Sequence, residues 1–213
     1  RALQRALTSA DETVDIGAAG TAMRFLTAYF AAQPGRTCLL TGTERMRRRP
    51  IGLLVDALRG LGADIAYAGD EGYPPLCIVG RRLRGGEVTM ESGVSSQYLS
   101  ALLMVAPTME QGLRLRLTGE TVSETYLRMT VELMRRFGVE VTEADGGRTF
   151  AVAPQPICVV PFTVEADWSA ASYWYELMAL TRDASATVLL RGLTRNSLQG
   201  DAVIAELFER LGV

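Results

Sequence analysis

The chain repeats itself at a spacing of about 75 residues. Thr41-Gly42-Thr43-Glu44 runs through a helical pattern to Leu61-Gly62-Ala63-Asp64-Ile65. Thr118-Gly119-Glu120-Thr121 runs likewise to Phe137-Gly138-Val139-Glu140-Val141, and Arg191-Gly192-Leu193-Thr194 to Leu211-Gly212-Val213. The closing glycines Gly62, Gly138 and Gly212 lie 76 and 74 residues apart. Upstream, Gly20-Thr21-Ala22-Met23, Ser95-Ser96-Gln97-Tyr98 and Ser169-Ala170-Ala171-Ser172 begin 75 and 74 residues apart. A period this long belongs to a unit of several secondary-structure elements and constrains the fold before any single element is read. The third copy stops where its next strand is expected to begin.

Each copy reads as strand, helix, strand, helix and two strands. In the second copy the pattern predicts a strand over Glu87–Met90 and a helix over Ser95–Ala106, ended by Pro107. Leu113–Leu117 alternates with Arg114 and Arg116, as a half-buried strand does. Ser123 is placed to cap a helix through Arg136, with Leu127, Val131 and Met134 on one stripe and Gly138 as its stop. Val139–Val141 and Thr149–Val152 complete the unit around Gly146-Gly147. The first copy predicts strands near Thr13–Ile16 and Cys38–Leu40 and helices from about Gly20 and Pro50. The third predicts strands at Phe162–Val164 and Thr187–Leu190, a helix from about Ser169 and another over Ala202–Leu211. Arg1–Leu7 reads as the end of an earlier helix. The Pro154-Gln155-Pro156 to Pro161 stretch is the linker-like break, so residues 1–157 and 158–213 are expected to fall in separate domains.

Charge and composition exclude several functions. The net charge of −2 gives no electrostatic case for nucleic acid or a membrane surface. The longest apolar runs are too short to cross a bilayer. The chain has no His, and all its basic residues are Arg. A His-based nucleophile triad, a His zinc site and a Lys base are therefore excluded within it. Cys38, Cys77 and Cys158 lie far apart in apolar runs and read as buried thiols of a reducing compartment.

The three equivalent helix starts carry Gly-Thr, Ser-Ser and Ser-Ala. Small and hydroxyl residues there leave backbone N–H groups reachable, and the helix dipole adds partial positive charge. Such ends bind phosphate or carboxylate. The alternative is that Ser and Thr simply cap their helices, which alone stabilises by about 0.5–2 kcal/mol. Three such starts in register, beside Arg45 and Gln97, bring the two readings into balance.

The residues carrying a family resemblance are Gly17-Ala18-Ala19-Gly20-Thr21-Ala22-Met23-Arg24, Leu40-Thr41-Gly42-Thr43-Glu44-Arg45-Met46-Arg47-Arg48-Arg49-Pro50-Ile51, Val55–Leu58, Ser95-Ser96-Gln97 through Leu103, Tyr126–Gly138 and Arg195–Asp201. In order and separation they resemble the EPSP synthases, the 3-phosphoshikimate 1-carboxyvinyltransferases. The resemblance implies an α/β fold of two domains, each made of βαβαββ units around a pseudo-threefold axis, an inside-out α/β barrel that is incomplete here. It implies that the chain is an internal fragment: most of the N-terminal domain and the start of the C-terminal one. The implied enzyme is cytoplasmic, monomeric as a whole and free of metal or other cofactor. It moves the enolpyruvyl group of phosphoenolpyruvate to the 5-hydroxyl of shikimate 3-phosphate.

By the same resemblance, Ser95, Ser96 and Gln97 hold shikimate 3-phosphate, and Ser123 and Tyr126 support its ring side. Gly20 and Thr21 let phosphoenolpyruvate approach the backbone, and Arg45 pairs with it. Asp167 matches a family position at a helix start facing the cleft and is the candidate catalytic residue, with an N-cap as its plainer role. Arg47, Arg48 and Arg49 read as solvated or interdomain charges, and Trp168, Tyr173 and Trp174 as packing. Ala18, Phe25 and Glu124-Thr125 depart from the family's common Asn, Pro and Lys-Pro. The family's catalytic Lys, Asp and Glu groups have no counterpart in the chain, which is expected to be inactive alone. Two other readings are a UDP-N-acetylglucosamine enolpyruvyl transferase, against which the Ser95-Ser96-Gln97 and Ser123/Tyr126 pattern speaks, and a non-catalytic anion-binding module.

Overall fold

The computed structural model of the chain describes residues 2–93, 95–119, 124–183 and 185–213. A leading helix, α1 (Ala2–Thr8), precedes two complete copies of one unit. The first copy comprises β1 (Thr13–Asp15), α2 (Gly20–Ala31), β2 (Thr37–Thr41), a one-turn α3 (Glu44–Arg47), α4 (Gly52–Gly60), β3 (Asp64–Tyr67) and β4 (Leu76–Val79). The second comprises β5 (Gly86–Glu91), α5 (Ser96–Val105), β6 (Leu113–Thr118), α6 (Glu124–Arg136), β7 (Thr142–Ala144) and β8 (Thr149–Val152). The two sheets have the same order, β1-β2-β4-β3 and β5-β6-β8-β7. In each, the first pair is parallel and the other two antiparallel. The βαβαββ reading of these copies therefore stands, with α3 an added turn.

The apolar pattern decides which layer lies inside. Helix α5 is buried almost all round, at Tyr98, Leu99, Ala101, Leu102, Leu103 and Val105. A helix without a polar face has to be enclosed. It packs between α2 and α6. The strands instead alternate: β6 buries Leu113, Leu115 and Leu117 and exposes Arg114 and Arg116. One sheet face is thus wet, as antiparallel sheets allow. Helices fill the middle and sheets wrap the outside. Burying a side chain such as Leu102 or Leu103 contributes about 1.5–3 kcal/mol.

The closing glycines show why the repeat is visible in the sequence. Gly62, Gly138 and Gly212 have φ of 103°, 78° and 81°. At each, the glycine N–H donates to the carbonyl three residues back, and the following N–H to the carbonyl five residues further back from itself: Ala63 to Leu58 (2.9 Å), Val139 to Met134 (3.0 Å) and Val213 to Phe208 (3.0 Å). This is the Schellman closure, and its left-handed residue favours glycine.

The third copy departs from expectation. It forms α7 (Trp168–Leu180), a 3₁₀ turn over Gly200–Val203 and α8 (Ile204–Arg210), but no strand follows β8 among the described residues. Phe162–Val164 and Thr187–Leu190 are irregular, with Val164 and Leu189 exposed. A strand is held by its ladder partners. In both complete units the second strand lies between the first and the fourth, and the third copy has no counterpart of the third and fourth within these 213 residues. One equivalent bond remains: Ala166 N donates to Gly192 O at 2.8 Å, as Ile16 N does to Thr41 O (3.0 Å) and Ser92 N to Thr118 O (2.8 Å). The main apolar core runs from Ala6 to Val152, and the buried Trp168 and Ala171 of α7 are not part of it.

Two smaller corrections follow. The third strand of the second unit starts at Thr142 rather than Val139, because Val139 and Val141 turn into the core ahead of the ladder. Of the cysteines only Cys38 is buried. Cys77 lies on the open face of β4, where apolar neighbours on both sides hid the strand's alternation, and Cys158 lies exposed beyond β8.

Candidate functional site

Two of the three equivalent helix starts lie side by side. Gln97 Nε2 in α5 donates to Thr21 Oγ1 in α2 at 3.0 Å. Neither start is capped by a side chain: Ala19 has none to offer, and Ser95 makes no capping bond. The N–H groups of Gly20, Thr21 and Ala22 find no acceptor among the described residues, and the first ladder bond of α2 is Met23 N to Ala19 O (3.1 Å). Free donors at a positive helix end suit an anion. Ser95 is exposed, and Ser96 and Gln97 are half-buried at the start of α5.

Two arginines that sequence reasoning left out of the site converge on Gly20. A Cβ built on Gly20 would collide with Arg49 Nη1 and lie 2.6 Å from Arg24 Nη1. Arg49 is therefore not simply a solvated charge: its guanidinium packs over the α2 start although the residue is largely exposed. Arg24 is only 7% exposed, and its Nε and Nη1 have no hydrogen-bond partner among the described residues. Its guanidinium lies 5.9 Å from the centre of the Tyr98 ring, whose hydroxyl donates to Pro50 O at 2.7 Å. Burial, then the Arg49 charge, push the Arg24 pKa below its ordinary value, and Tyr98 acts against them. One signal was available: Arg24 is the lone charge between Gly17 and Phe30. Arg45 stands exposed on α3, without hydrogen bond or ion pair to a described residue.

A second group of residues lines a cleft of about 270 Å³ between α6 and the third copy. Thr125, Tyr126 and Met129 form one wall, and Asp167, Ser169, Leu198, Gln199, Gly200 and Asp201 the other. Burial raises the pKa of the half-buried Tyr126 phenol. Asp167 caps α7: its Oδ1 accepts from Ser169 N (2.9 Å) and Ala170 N (3.3 Å). Ser169 donates to Asp201 within that second wall. The structure thus brings Tyr126 and Asp167 together and joins Thr21 to Gln97. Ser123 lies outside the described residues. Tryptophan 168 is buried as expected for packing, whereas Tyr173 and Trp174 are 67% and 49% exposed.

Nearby, Glu165 gathers the loop before α8. It accepts from Trp168 Nε1 (2.9 Å), Thr194 N and Oγ1 (both 2.7 Å), Ser197 Oγ (2.6 Å) and Gln199 Nε2 (3.2 Å). Desolvation pushes its pKa up, but these bonds outweigh it and bring the carboxyl down to about 2. Among the described residues no group of three or more His, Cys, Asp or Glu could hold a metal ion, and no helix is long and apolar enough to cross a membrane.

Comparison with known proteins agrees with this architecture. A 3-phosphoshikimate 1-carboxyvinyltransferase of Bacteroides fragilis (strain YCH46) is 54% identical over 209 residues, covering 98% of this chain and 50% of that protein. One from Sulfurovum sp. (strain NBC37-1) is 43% identical over 198 residues, covering 92% and 45%. The solved EPSP synthase from Acinetobacter baumannii superposes with a TM-score of 0.73 at 24% identity, over 96% of this chain and 44% of that one, and so shares the inside-out α/β fold. The chain spans about half the length of the curated relatives it matches. The family model for EPSP synthase (3-phosphoshikimate 1-carboxyvinyltransferase) matches residues 1–213, and the chain belongs to that family.

Proposed function

We propose that this chain carries the phosphate-holding part of an enolpyruvyl transferase acting on shikimate 3-phosphate and phosphoenolpyruvate. The reaction is assigned to the chain together with the half of its relatives' length that it does not match. In it the shikimate 5-hydroxyl adds to phosphoenolpyruvate, and phosphate then leaves from the tetrahedral intermediate. Two phosphates and two carboxylates must be held together, which needs cations and free helix N–H groups. A proton must also reach the methylene carbon as the hydroxyl loses its own.

The observation that carries the reading is the Gln97–Thr21 bond, which sets two uncapped helix starts beside each other. On this reading Gly20, Thr21 and Arg45 face phosphoenolpyruvate. Ser95, Ser96 and Gln97 hold the shikimate phosphate, and Ser123 and Tyr126 its ring. Asp167 has one oxygen engaged in capping, so we assign it to orienting α7 and a substrate hydroxyl rather than to proton transfer. The proton-transfer groups then belong to residues other than these, and the chain alone is inactive. No cofactor is needed by this chemistry. We further place a domain boundary near residue 157, supported by the separation of α7 from the main core, and assign the enzyme to the cytoplasm as a monomer.

Calorimetric titration of the chain with shikimate 3-phosphate, against inorganic phosphate, tests the reading. Saturable binding that prefers the shikimate ester and weakens in a Ser95→Ala/Ser96→Ala variant is expected. Equal affinity for both ligands, unaffected by that variant, would refute it.

A further inference from the structure

We infer that Ser100 and Thr130 are positioning residues for the shikimate side of the site: a buried hydroxyl bridge between α5 and α6 that fixes Tyr126 relative to Ser96 and Gln97. The inference rests on the reading that these three residues hold shikimate 3-phosphate.

The two helices could pack without it. Helix α5 lies against α6, and both bury largely apolar residues. Into this setting each contributes a hydroxyl: Ser100 is fully buried and Thr130 is 6% exposed. Their oxygens lie 2.8 Å apart. A helical Ser or Thr can turn back on the carbonyl four residues before it, as Thr27 does to Met23 O at 2.7 Å. Thr130 does the same, donating to Tyr126 O at 3.2 Å. Its one proton is thereby spent, so Ser100 is the donor to Thr130 Oγ1. The result is a directed chain, from Ser100 through Thr130 to the Tyr126 carbonyl.

The place of the bridge gives it a role. Ser100 is one turn beyond Ser96, and Thr130 is one turn beyond Tyr126. The bond therefore ties the two helices about 6 Å along each from those residues. Tyr126 in turn lines the cleft opposite Asp167. Apolar burial has no preferred direction, so it leaves neighbouring helices free to roll slightly against each other. A hydroxyl pair is directional and is satisfied at one relative rotation. An apolar pair of the same shape would stabilise as well or better. What the hydroxyls add is a single setting of Tyr126 relative to the α5 start. Neither reaches a ligand itself, since both are buried, so they act through Tyr126.

The test compares Thr130→Val, which keeps the shape without the hydroxyl, with Thr130→Ser, which keeps the hydroxyl without the methyl. Each is titrated by calorimetry with shikimate 3-phosphate and with inorganic phosphate. Each is also nitrated with tetranitromethane, and the rate at Tyr126 is read by peptide mass spectrometry. Thr130→Val is expected to lose about fivefold of the preference for the ester, the worth of one hydrogen bond, and Thr130→Ser to stay within about twofold of the unaltered chain. Tyr126 should nitrate several times faster in Thr130→Val and not in Thr130→Ser. Tyr98, buried and bound to Pro50 O, should keep its rate and so report that the fold is intact. Ser100→Ala breaks the same bond from α5 and should match Thr130→Val, so the test survives if that variant does not fold. An unaltered preference for the ester in Thr130→Val overturns the proposal. Equal losses in Thr130→Val and Thr130→Ser also overturn it, because they reduce Thr130 to packing. If the unaltered chain shows no preference for the ester but Thr130→Val still frees Tyr126, the functional reading falls and the bridge stands. An ester preference kept in every variant, with unchanged nitration, does the reverse.

Discussion

Glu165→Gln removes a charge while nearly preserving shape, and its cost can be worked from the structure. The carboxylate accepts five hydrogen bonds from four residues. Its pKa falls from 4.5 to about 2 on folding. At about 1.36 kcal/mol per pKa unit, the ceiling on the charge's contribution is roughly 3 kcal/mol. The group is partly solvent-exposed, and screening reduces this to about 1–2 kcal/mol. In the glutamine, the new amide NH₂ would also face Gln199 Nε2, a donor against a donor, unless one of the two amides flips. Because the folded pKa is depressed, the stabilisation is complete above pH 4.5 and is lost as the pH falls toward 2. Both tryptophans of the chain, Trp168 and Trp174, lie in the third copy, so urea melts followed by their fluorescence report on this region. The variant should melt earlier than the parent at pH 7, by about 1–2 kcal/mol, and the difference should shrink to less than half by pH 3. Equal melts at pH 7, or a difference that does not change with pH, would show that the five bonds carry no net charge stabilisation.

Gly20→Ala should leave the far-ultraviolet circular dichroism unchanged and weaken phosphate more than tenfold by calorimetry, because its Cβ takes the space of the Arg49 and Arg24 guanidinia. Ser100→Ala should cost about 1 kcal/mol in a urea melt, since it leaves the buried Thr130 hydroxyl short of the partner it has at 2.8 Å. Adding Thr130→Val should then cost less than it does in the parent, because the pair is lost once. Native thiol titration should show Cys77 and Cys158 reacting quickly and Cys38 only on unfolding, as burial also raises the pKa of the Cys38 thiol.

Most of the fold was legible because its signals are local. Gly62, Gly138 and Gly212 mark helix closures that favour a left-handed residue, so their spacing counts the units directly. The alternation of Leu113–Leu117 is a two-residue period that one half-buried face imposes. What stayed hidden depends on partners remote in sequence. Phe162–Val164 has strand-like composition, but pairing is a property of neighbours, and the third copy provides too few. Arg49 and Arg45 are alike in an Arg-rich turn, and only the path of the chain through Pro50, fixed by Tyr98, carries Arg49 to Gly20. Arg24 was visible as an isolated charge, while its burial and unused donors were not, because both come from packing between α2 and α5.

The three helix starts share a place in the repeat but not a chemistry, and the difference follows from one residue in each. Ala19 and Ser95 leave α2 and α5 uncapped, so their N–H groups stay available beside Arg24, Arg49 and Gln97. Asp167 caps α7 and neutralises the positive end of that helix. With Asp201 close by, the third start offers carboxylates and a serine in place of free donors. The first two starts therefore suit an anion better than the third does, while Asp167 and Asp201 offer acceptors to hydroxyl groups. The same fold unit thus presents uncapped starts beside arginine and glutamine side chains at α2 and α5, and a capped start with two carboxylates at α7, so the choice of the residue before each helix decides the electrostatics of its end.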